Sequence, residues 1–205
     1  QTINWCTRGA LHFQEKDGEV TTLEVPSIIA CDGITISPKR NYAVFWYGKS
    51  LYLVNLETAK LNKLSFTGQY DDYPLDARFS LDEEILITSV PYLVAIWQVD
   101  PLLKLADSHD LEFRTGINRE IVISKDKSFA VTLIASRRQE SDLSQIVVWR
   151  IADAFTLHRI RPPFFETIQP EFTIFALSPN DELIASGDNF GGIRIWNVKT
   201  GEEVV

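Results

Sequence analysis

One strand pattern recurs four times along this chain, and this repetition limits the folds that the chain can form. Each copy is a short run rich in β-branched and other apolar residues: Leu51–Leu56, Ala95–Val99, Ile146–Ile151 and Ile193–Val198. Three copies contain a tryptophan. With Val54 in the place of the missing one, the steps to Trp97, Trp149 and Trp196 are 43, 52 and 47 residues. A period in this range predicts a repeat architecture in which neighbouring units bury a shared core.

A second pattern precedes each of these strands and moves in step with them. In each unit an apolar run ends in a serine, a polar turn follows, and a second apolar run begins: Ile34–Val44, Ala77–Ile87, Ile121–Val131 and Phe175–Ala185. The serines are Ser37, Ser80, Ser124 and Ser178, at steps of 43, 44 and 54 residues. Pro, Asp and Asn in the turns favour chain reversal. Each unit therefore predicts a hairpin, a third strand near the tryptophan position and a weaker fourth strand.

The last unit closely resembles a WD repeat, because the hairpin Phe175–Ala185 is followed by Ile193–Val198 and a Lys-Thr-Gly-Glu turn. The other three units resemble degenerate copies. The resemblance implies an all-β fold, a β-propeller of about four to five four-stranded blades that forms part of a larger ring. The predicted blades span about 31–66, 74–105, 118–160 and 172–205.

Residues 1–30 have one further interpretation, the end of a preceding blade, since Phe13 lies 41 residues before Val54. An open arc of blades would expose sheet edges, which folded proteins avoid. We therefore expect further blades outside this segment, or a partner that completes the ring.

The chain also departs from the family pattern. In WD repeats, a buried set of His, Asp, Ser or Thr and Trp joins the strands of a blade by hydrogen bonds. Here the dipeptide Trp-Asp never occurs, no Gly-His pair precedes the four blocks, and Phe190 stands where the last unit should have Asp. We therefore expect this polar network to be missing. Packing of large apolar side chains, each worth about 1.5–3 kcal/mol, would then hold the blades together.

Composition narrows the class of protein. Charged residues make up 23% of the chain and no apolar run approaches the length of a membrane span, so a membrane partner is not expected. A net charge of −8 argues against a broad nucleic-acid surface and leaves room for a local RNA contact. Cys6 and Cys31 lack metal-like spacing and favour free thiols in a reducing compartment, with a single disulfide as the alternative. The predicted location is intracellular, in the cytoplasm or the nucleus and nucleolus.

Motifs for chemistry are missing from the sequence. There is no phosphate-binding loop, no G-x-S-x-G and no H-E-x-x-H, and the three histidines have no ligand spacing. The first strands of the predicted blades, which would face a central channel, are almost wholly apolar, with Arg78 as the lone charge. We therefore predict no enzyme activity, no cofactor and no metal.

The remaining candidate is a binding surface on loops. The resemblance implies that one face carries the loops that join blades and the loops between second and third strands. On these loops the candidate contact residues are Tyr70, Asp71, Asp72 and Tyr73, the pair Arg137 and Arg138, and the pair Phe164 and Phe165. Aromatic residues and arginine are enriched at binding hot spots. For both aromatic groups the alternative is a structural role, and for Arg137 and Arg138 it is solvated loop charges.

The predicted function is a protein-interaction scaffold within a larger intracellular hetero-complex, with other proteins as partners. Two settings remain open: a structural subunit of a ribosome-assembly complex that contacts RNA or protein, and a regulatory sensor propeller. Both settings are suggested by the family resemblance alone, and no feature of the sequence favours one over the other.

Overall fold

The computed structural model describes residues 3–14, 17–26, 28–65, 76–90, 93–107, 116–136, 144–163 and 170–204. Within these residues the chain forms only strands, turns and connecting segments, arranged as five small antiparallel sheets of three or four strands. The predicted all-β class is therefore confirmed. The described part of the chain has no helix long and apolar enough to cross a membrane.

The sheets follow one another along the chain, and we number them 1 to 5. Sheet 1 contains β1 (Ile3–Thr7), β2 (Ala10–Gln14) and β3 (Val20–Glu24). Sheet 2 contains β4 (Gly33–Ile36), β5 (Tyr42–Tyr47), β6 (Ser50–Asn55) and β7 (Leu61–Leu64). Sheet 3 contains β8 (Asp76–Phe79), β9 (Ile85–Val90), β10 (Leu93–Gln98) and β11 (Leu103–Asp107). Sheet 4 contains β12 (Gly116–Ile123), β13 (Phe129–Ser136), β14 (Gln145–Arg150) and β15 (Thr156–Ile160). Sheet 5 contains β16 (Phe172–Leu177), β17 (Leu183–Asp188) and β18 (Ile193–Asn197).

Each sheet is a meander, in which the order of strands along the chain is also their order across the sheet. Strands that follow one another in the chain pair, as is usual when the connections between them are short. Glu203 forms a single bridge with Trp196, so that the backbone of residues 202–204 begins to pair with β18 beyond the last strand.

The hydrophobic core lies between consecutive sheets and forms separate layers. Strand β10 shows the principle: Ala95 and Trp97 pack in the layer shared with sheet 2, while Val94 and Ile96 pack in the layer shared with sheet 4. Similar layers join sheets 1 and 2 and sheets 4 and 5. A strand that is buried on both faces reads as a nearly continuous apolar run, which explains the pattern in the sequence.

Register corrects one alignment made from the sequence. The β1–β2 hairpin is equivalent to the β5–β6 hairpin of sheet 2. Gln14 pairs with Ile3 in the first, and Val54 pairs with Ala43 at the same distance from the turn in the second. Gln14, and not Phe13, is therefore the equivalent of Val54. Phe13 lies on the opposite face and packs against sheet 2. The alternation of side chains in a strand means that a shift of one residue exchanges the two faces.

The two cysteines correct a second expectation. The structure joins Cys6 of β1 to Cys31, which lies just before β4, in a disulfide that links sheet 1 to the start of sheet 2. The interpretation as free thiols was therefore wrong. Spacing in the sequence could not show that the two residues meet, because their approach depends on how sheet 1 packs on sheet 2.

Candidate interaction surface

One edge of the molecule is built from four copies of the same turn, here called the serine turns: 37–42, 80–85, 124–129 and 178–183. In each, the serine hydroxyl accepts a hydrogen bond from the backbone N–H five residues later, at 2.9 to 3.1 Å. The third residue after the serine has a positive φ in every copy: 63° at Arg40, 70° at Glu83, 58° at Lys127 and 59° at Asp181. The serines recognised in the sequence thus close the hairpins at one end of sheets 2 to 5.

The serine turns of sheets 2 and 3 are joined through a buried carboxylate. Glu83 accepts hydrogen bonds from the backbone N–H of Lys39 at 2.5 Å and from the side-chain amide of Asn41 at 2.7 Å. Burial raises the pKa of Glu83, but hydrogen bonds from Ser37, Lys39 and Asn41 outweigh it, so the pKa lies below its ordinary value. Glu83 is therefore held in the charged form, as a bridge between the two sheets.

The serine turns of sheets 3 and 4 are joined by ion pairs. The Lys127 ammonium contacts both Asp82 and Glu84. The hydrogen bond from Lys127, together with one from Ser80, holds the pKa of Asp82 well below its usual range. The same two carboxylates raise the pKa of Lys127. Because the pairs are partly exposed, their strength should depend on salt and on pH.

A third bridge joins sheets 4 and 5, where the backbone N–H of Lys125 donates to Asp181 at 2.7 Å. Three consecutive bridges between equivalent turns show that the serine-turn ends of sheets 2 to 5 all lie at this edge. Since strands alternate in direction within each sheet, the strand ends farthest from the serine turns also share one edge, which we call the loop edge.

The predicted contact residues all belong to segments that leave from the loop edge. Residues Tyr70–Tyr73 connect β7 to β8, Arg137 and Arg138 connect β13 to β14, and Phe164 and Phe165 connect β15 to β16. All eight lie outside the described residues, so their contacts stay predictions. The described strand ends beside them, such as Leu64 and Ile160, lie opposite the serine turns. The topology thus brings the attachment points of the three segments to one edge.

The first strands of sheets 3 and 4 contain more charge than we expected from their apolar runs. Arg78 is not the lone charge, because β8 begins at Asp76 and β12 includes Glu120. The buried Asp76 carboxylate contacts Arg78 at 3.0 Å, and within the part of the chain that the structure describes its second oxygen has no hydrogen-bond partner. Burial raises the pKa of Asp76, and Arg78 opposes that effect. The earlier expectation failed because the strands extend further than the apolar runs that identified them.

The tryptophan positions are buried in the sheets, and they correct the expectation that the polar network is missing. The indole N–H of Trp97 donates to the Thr88 hydroxyl, and that of Trp196 donates to the Ser186 hydroxyl, both at 2.8 Å. Part of the network is therefore present in sheets 3 and 5. A hydroxyl residue nine or ten positions before the tryptophan, on the same face of the preceding strand, is the signal that sequence reasoning missed. Val54 is fully buried and fills the equivalent position in sheet 2.

Clefts open between neighbouring sheets near the serine turns. The cleft between sheets 4 and 5 has a volume of about 700 Å³, against about 270 Å³ between sheets 2 and 3. Asp126 and Asp181 line the larger one, but each already accepts internal hydrogen bonds, Asp126 from Ser124 and Ser128 and Asp181 from Lys125. Among the residues that the structure describes, no group of His, Cys, Asp and Glu is arranged to hold a metal ion.

Comparison with known proteins assigns no relative, since no protein-family model matches the chain and no curated protein is significantly similar to it.

Proposed function

We propose that this chain is part of a WD-repeat β-propeller and acts as a protein-interaction scaffold. The observation that carries the proposal is the bridging of the serine turns in sheets 2 to 5, through Glu83, Lys127 and Asp181. These bridges align the sheets, so the strand ends from which the candidate segments leave lie on one side. Five consecutive sheets that cover one another are also the arrangement that radial blades would need.

In this scaffold the core and the loops would have different roles: the core orders the strand ends and the loops contact the partner. Apolar layers between sheets hold the strand ends in place, so a partner meets loops whose attachment points are already ordered. When less conformational entropy is lost on binding, more of the free energy of the contacts contributes to affinity. On the loops, Tyr70, Tyr73, Arg137 and Arg138 are the side chains best suited to anchor a partner.

The acidic net charge of −8 also bears on partner choice. A partner with basic patches would be attracted from a distance, whereas a broad polyanionic surface would be repelled. Within this field, Arg137 and Arg138 would provide a local contact for a carboxylate or phosphate of the partner.

The test is affinity capture of partners followed by cross-linking, comparing the unmodified chain with a variant that has Ala at Tyr70, Tyr73, Arg137 and Arg138. We expect the variant to lose at least about tenfold in affinity for a partner cross-linked to the loop edge. Circular dichroism and thermal melting should show that the variant is folded.

A matched control has Ala at Lys60, Leu81 and Lys199, which are exposed on or beside the serine-turn edge. This control should keep full affinity. Unchanged partner binding by the loop variant, or equal loss with the control, would refute the loop edge as the binding face.

A further inference from the structure

One connection between sheets is covalent, and it lies at the loop edge. Cys31 comes just before β4, and the other end of β4 leads into the first serine turn, so the disulfide with Cys6 is on the loop-edge side of sheet 2. The bridges at the serine turns are hydrogen bonds and ion pairs instead. Because the chain has only two cysteines, this bond is the one contact between sheets that a change of redox state can open and close.

The link that precedes β4, residues 28–32 and here called the β4 link, is bonded to a different sheet at each end. At its start, the carbonyl of Ile28 accepts a hydrogen bond from the backbone N–H of Gly9, in the turn of sheet 1, at 2.8 Å. At its end, the backbone N–H of Asp32 donates to the carbonyl of Trp46, in sheet 2, at 2.7 Å. The β4 link therefore spans from sheet 1 to sheet 2 at the loop edge.

The disulfide restricts how the β4 link can open. Cys31 is the residue next to Asp32, so any opening of the Asp32 hydrogen bond moves Cys31. While Cys31 is joined to Cys6, that opening must also displace the first strand of sheet 1. When the disulfide is reduced, the same opening involves only the link, so it should need less free energy.

The position of the disulfide leaves it within reach of small thiols. Both cysteines are partly exposed, and neither is in the fully buried core. Their neighbours are accessible as well, since Trp5 is 37% exposed and Ile29 is 67% exposed. Exchange requires a thiolate to approach one of the two sulfurs, and exposed disulfides are the ones that act as labile or regulatory bonds.

Sheets 1 and 2 remain in contact without the disulfide, because an apolar layer lies between them. The buried residues of this layer are Leu11, Phe13, Val25, Ile28, Ala43, Phe45 and Val54. Cys6 and Cys31 pack against it. A free cysteine behaves as a small apolar side chain, so both thiols can keep these places after reduction. The two sulfurs then stay close together, and the bond can form again without unfolding of the chain.

We propose that the Cys6–Cys31 pair is a reversible redox device, which fixes the loop edge between sheets 1 and 2 when oxidised and frees the β4 link when reduced. The reductant is a small thiol such as glutathione. Its thiolate attacks one cysteine sulfur and forms a mixed disulfide, while the other cysteine leaves as a thiolate and takes up a proton. A second small thiol then releases the first cysteine. Two electrons thus pass to the protein, and two small thiols become one small disulfide.

The proposal does not rest on the scaffold function, because it concerns a bond and a link within the described structure. Its tests use the chain alone, without a binding partner. Failure of the redox proposal therefore leaves the proposed function standing, and the reverse is also true.

The first test measures exchange in the folded chain. Alkylation and mass spectrometry count the free thiols of the unmodified chain in buffers with different ratios of glutathione to glutathione disulfide. We expect complete and reversible conversion between no alkylated cysteine and two, with an unchanged strand signal in circular dichroism. A disulfide that glutathione reduces only after the chain is unfolded in urea would overturn the proposal.

The second test measures where reduction acts. Amide hydrogen exchange followed by NMR should become at least about tenfold faster at Asp32 when the disulfide is reduced. The matched control is the amide of Leu56, which donates to the carbonyl of Asn41 at the opposite edge of sheet 2 and should not change. Equal acceleration at Asp32 and Leu56, which indicates general unfolding, or no change at either, would overturn the proposal.

Two variants connect the response to the disulfide itself. Cys6→Ser cannot form the bond, so its Asp32 exchange should be the same in oxidising and reducing buffers and should match that of the reduced unmodified chain. The control Thr7→Ser changes the next residue but keeps its hydroxyl and the disulfide, so it should keep the redox response. A Cys6→Ser chain that still responds to the buffer, or a Thr7→Ser chain that does not, would refute the assignment to this pair.

Discussion

Sheets 3 and 4 have the same strands, the same serine turn and a tryptophan at the same place, yet the two tryptophans are in different chemical situations. In sheet 3 the Trp97 indole donates a hydrogen bond to Thr88. In sheet 4 the Trp149 indole nitrogen and the Thr132 hydroxyl are both buried, and neither has a hydrogen-bond partner among the described residues. The register shows that Thr132 is the equivalent of Thr88, so the two sheets differ in whether one bond forms.

This difference separates burial of the ring from the hydrogen bond of the indole N–H, two sources of stability that usually act together at a tryptophan. Trp149 packs against Ile134 and Val147 of its own sheet, so burial of the ring is sufficient to keep it in place. The hydrogen bond in sheet 3 then adds to the stability that burial of the ring already provides. Its absence in sheet 4 leaves two buried polar groups whose loss of water is not compensated.

The largest expected effect tests what the two sheets share. Trp97→Ala and Trp149→Ala should each destabilise the chain by about 3–5 kcal/mol, because both remove a buried ring and leave a cavity. Urea unfolding followed by circular dichroism measures the change. A small effect at Trp149 alone would show that packing does not hold it and would break the comparison.

The next effect isolates the indole N–H. Trp97→Phe leaves the buried Thr88 hydroxyl without its donor, so it should cost about 1–3 kcal/mol more than Trp149→Phe, where no bond is lost. Equilibrium unfolding of both variants gives the difference directly. Equal costs at Trp97 and Trp149 would contradict the assignment of the bond to sheet 3 and not to sheet 4.

Substitution of the hydroxyl residue should change the stability less than substitution of the tryptophan, and in opposite directions in sheets 3 and 4. Thr88→Val should destabilise the chain by about 1 kcal/mol or more, while Thr132→Val should be neutral or stabilising, because it removes a buried hydroxyl that has no partner. The double variant of Thr88→Val and Trp97→Phe should cost less than the sum of the single changes, since both delete the same bond. Additive costs would argue against a direct interaction.

The smallest effect concerns the bridge between sheets 3 and 4. Lys127→Met removes the cation that contacts Asp82 and Glu84, so it should destabilise the chain by less than Thr88→Val at neutral pH. The folded-state pKa of Asp82 is lowered from its ordinary value of 3.8, so this stabilisation is present above that pH and is lost as the pH falls below it. Unfolding measured from neutral to acidic pH should show the two chains converging. A difference that persists unchanged in acid would refute the ion pair as its cause.

Much of the fold could be predicted from short-range patterns in the sequence. The serine turns were located by their polar residues between apolar runs, and the strands around Trp97, Trp149 and Trp196 by their apolar content. Both signals are local, because turn chemistry depends on a few adjacent residues and a buried strand shows its burial in its own composition. The all-β class follows from them.

The errors arose where a result depends on how two strands or two sheets meet. The Cys6–Cys31 disulfide, the Trp97–Thr88 bond and the buried Asp76 each need two segments to meet in a particular register. The assignment of Phe13 failed for a related reason, since one residue of shift in a strand changes the face. The candidate contact residues of the loop edge lie outside the described residues, so the structure supports their common side only through the strand ends that flank them.

The amino-acid pattern alone is enough to predict strands in repeated units, because alternation and turn residues are properties of a single segment and the period is read directly along the chain. Packing between sheets sets which face of each strand is covered, which carboxylates meet Lys127, and why Trp97 has a partner while Trp149 has none among the described residues. These outcomes depend on register and on the packing of one sheet against the next, and no local pattern encodes either.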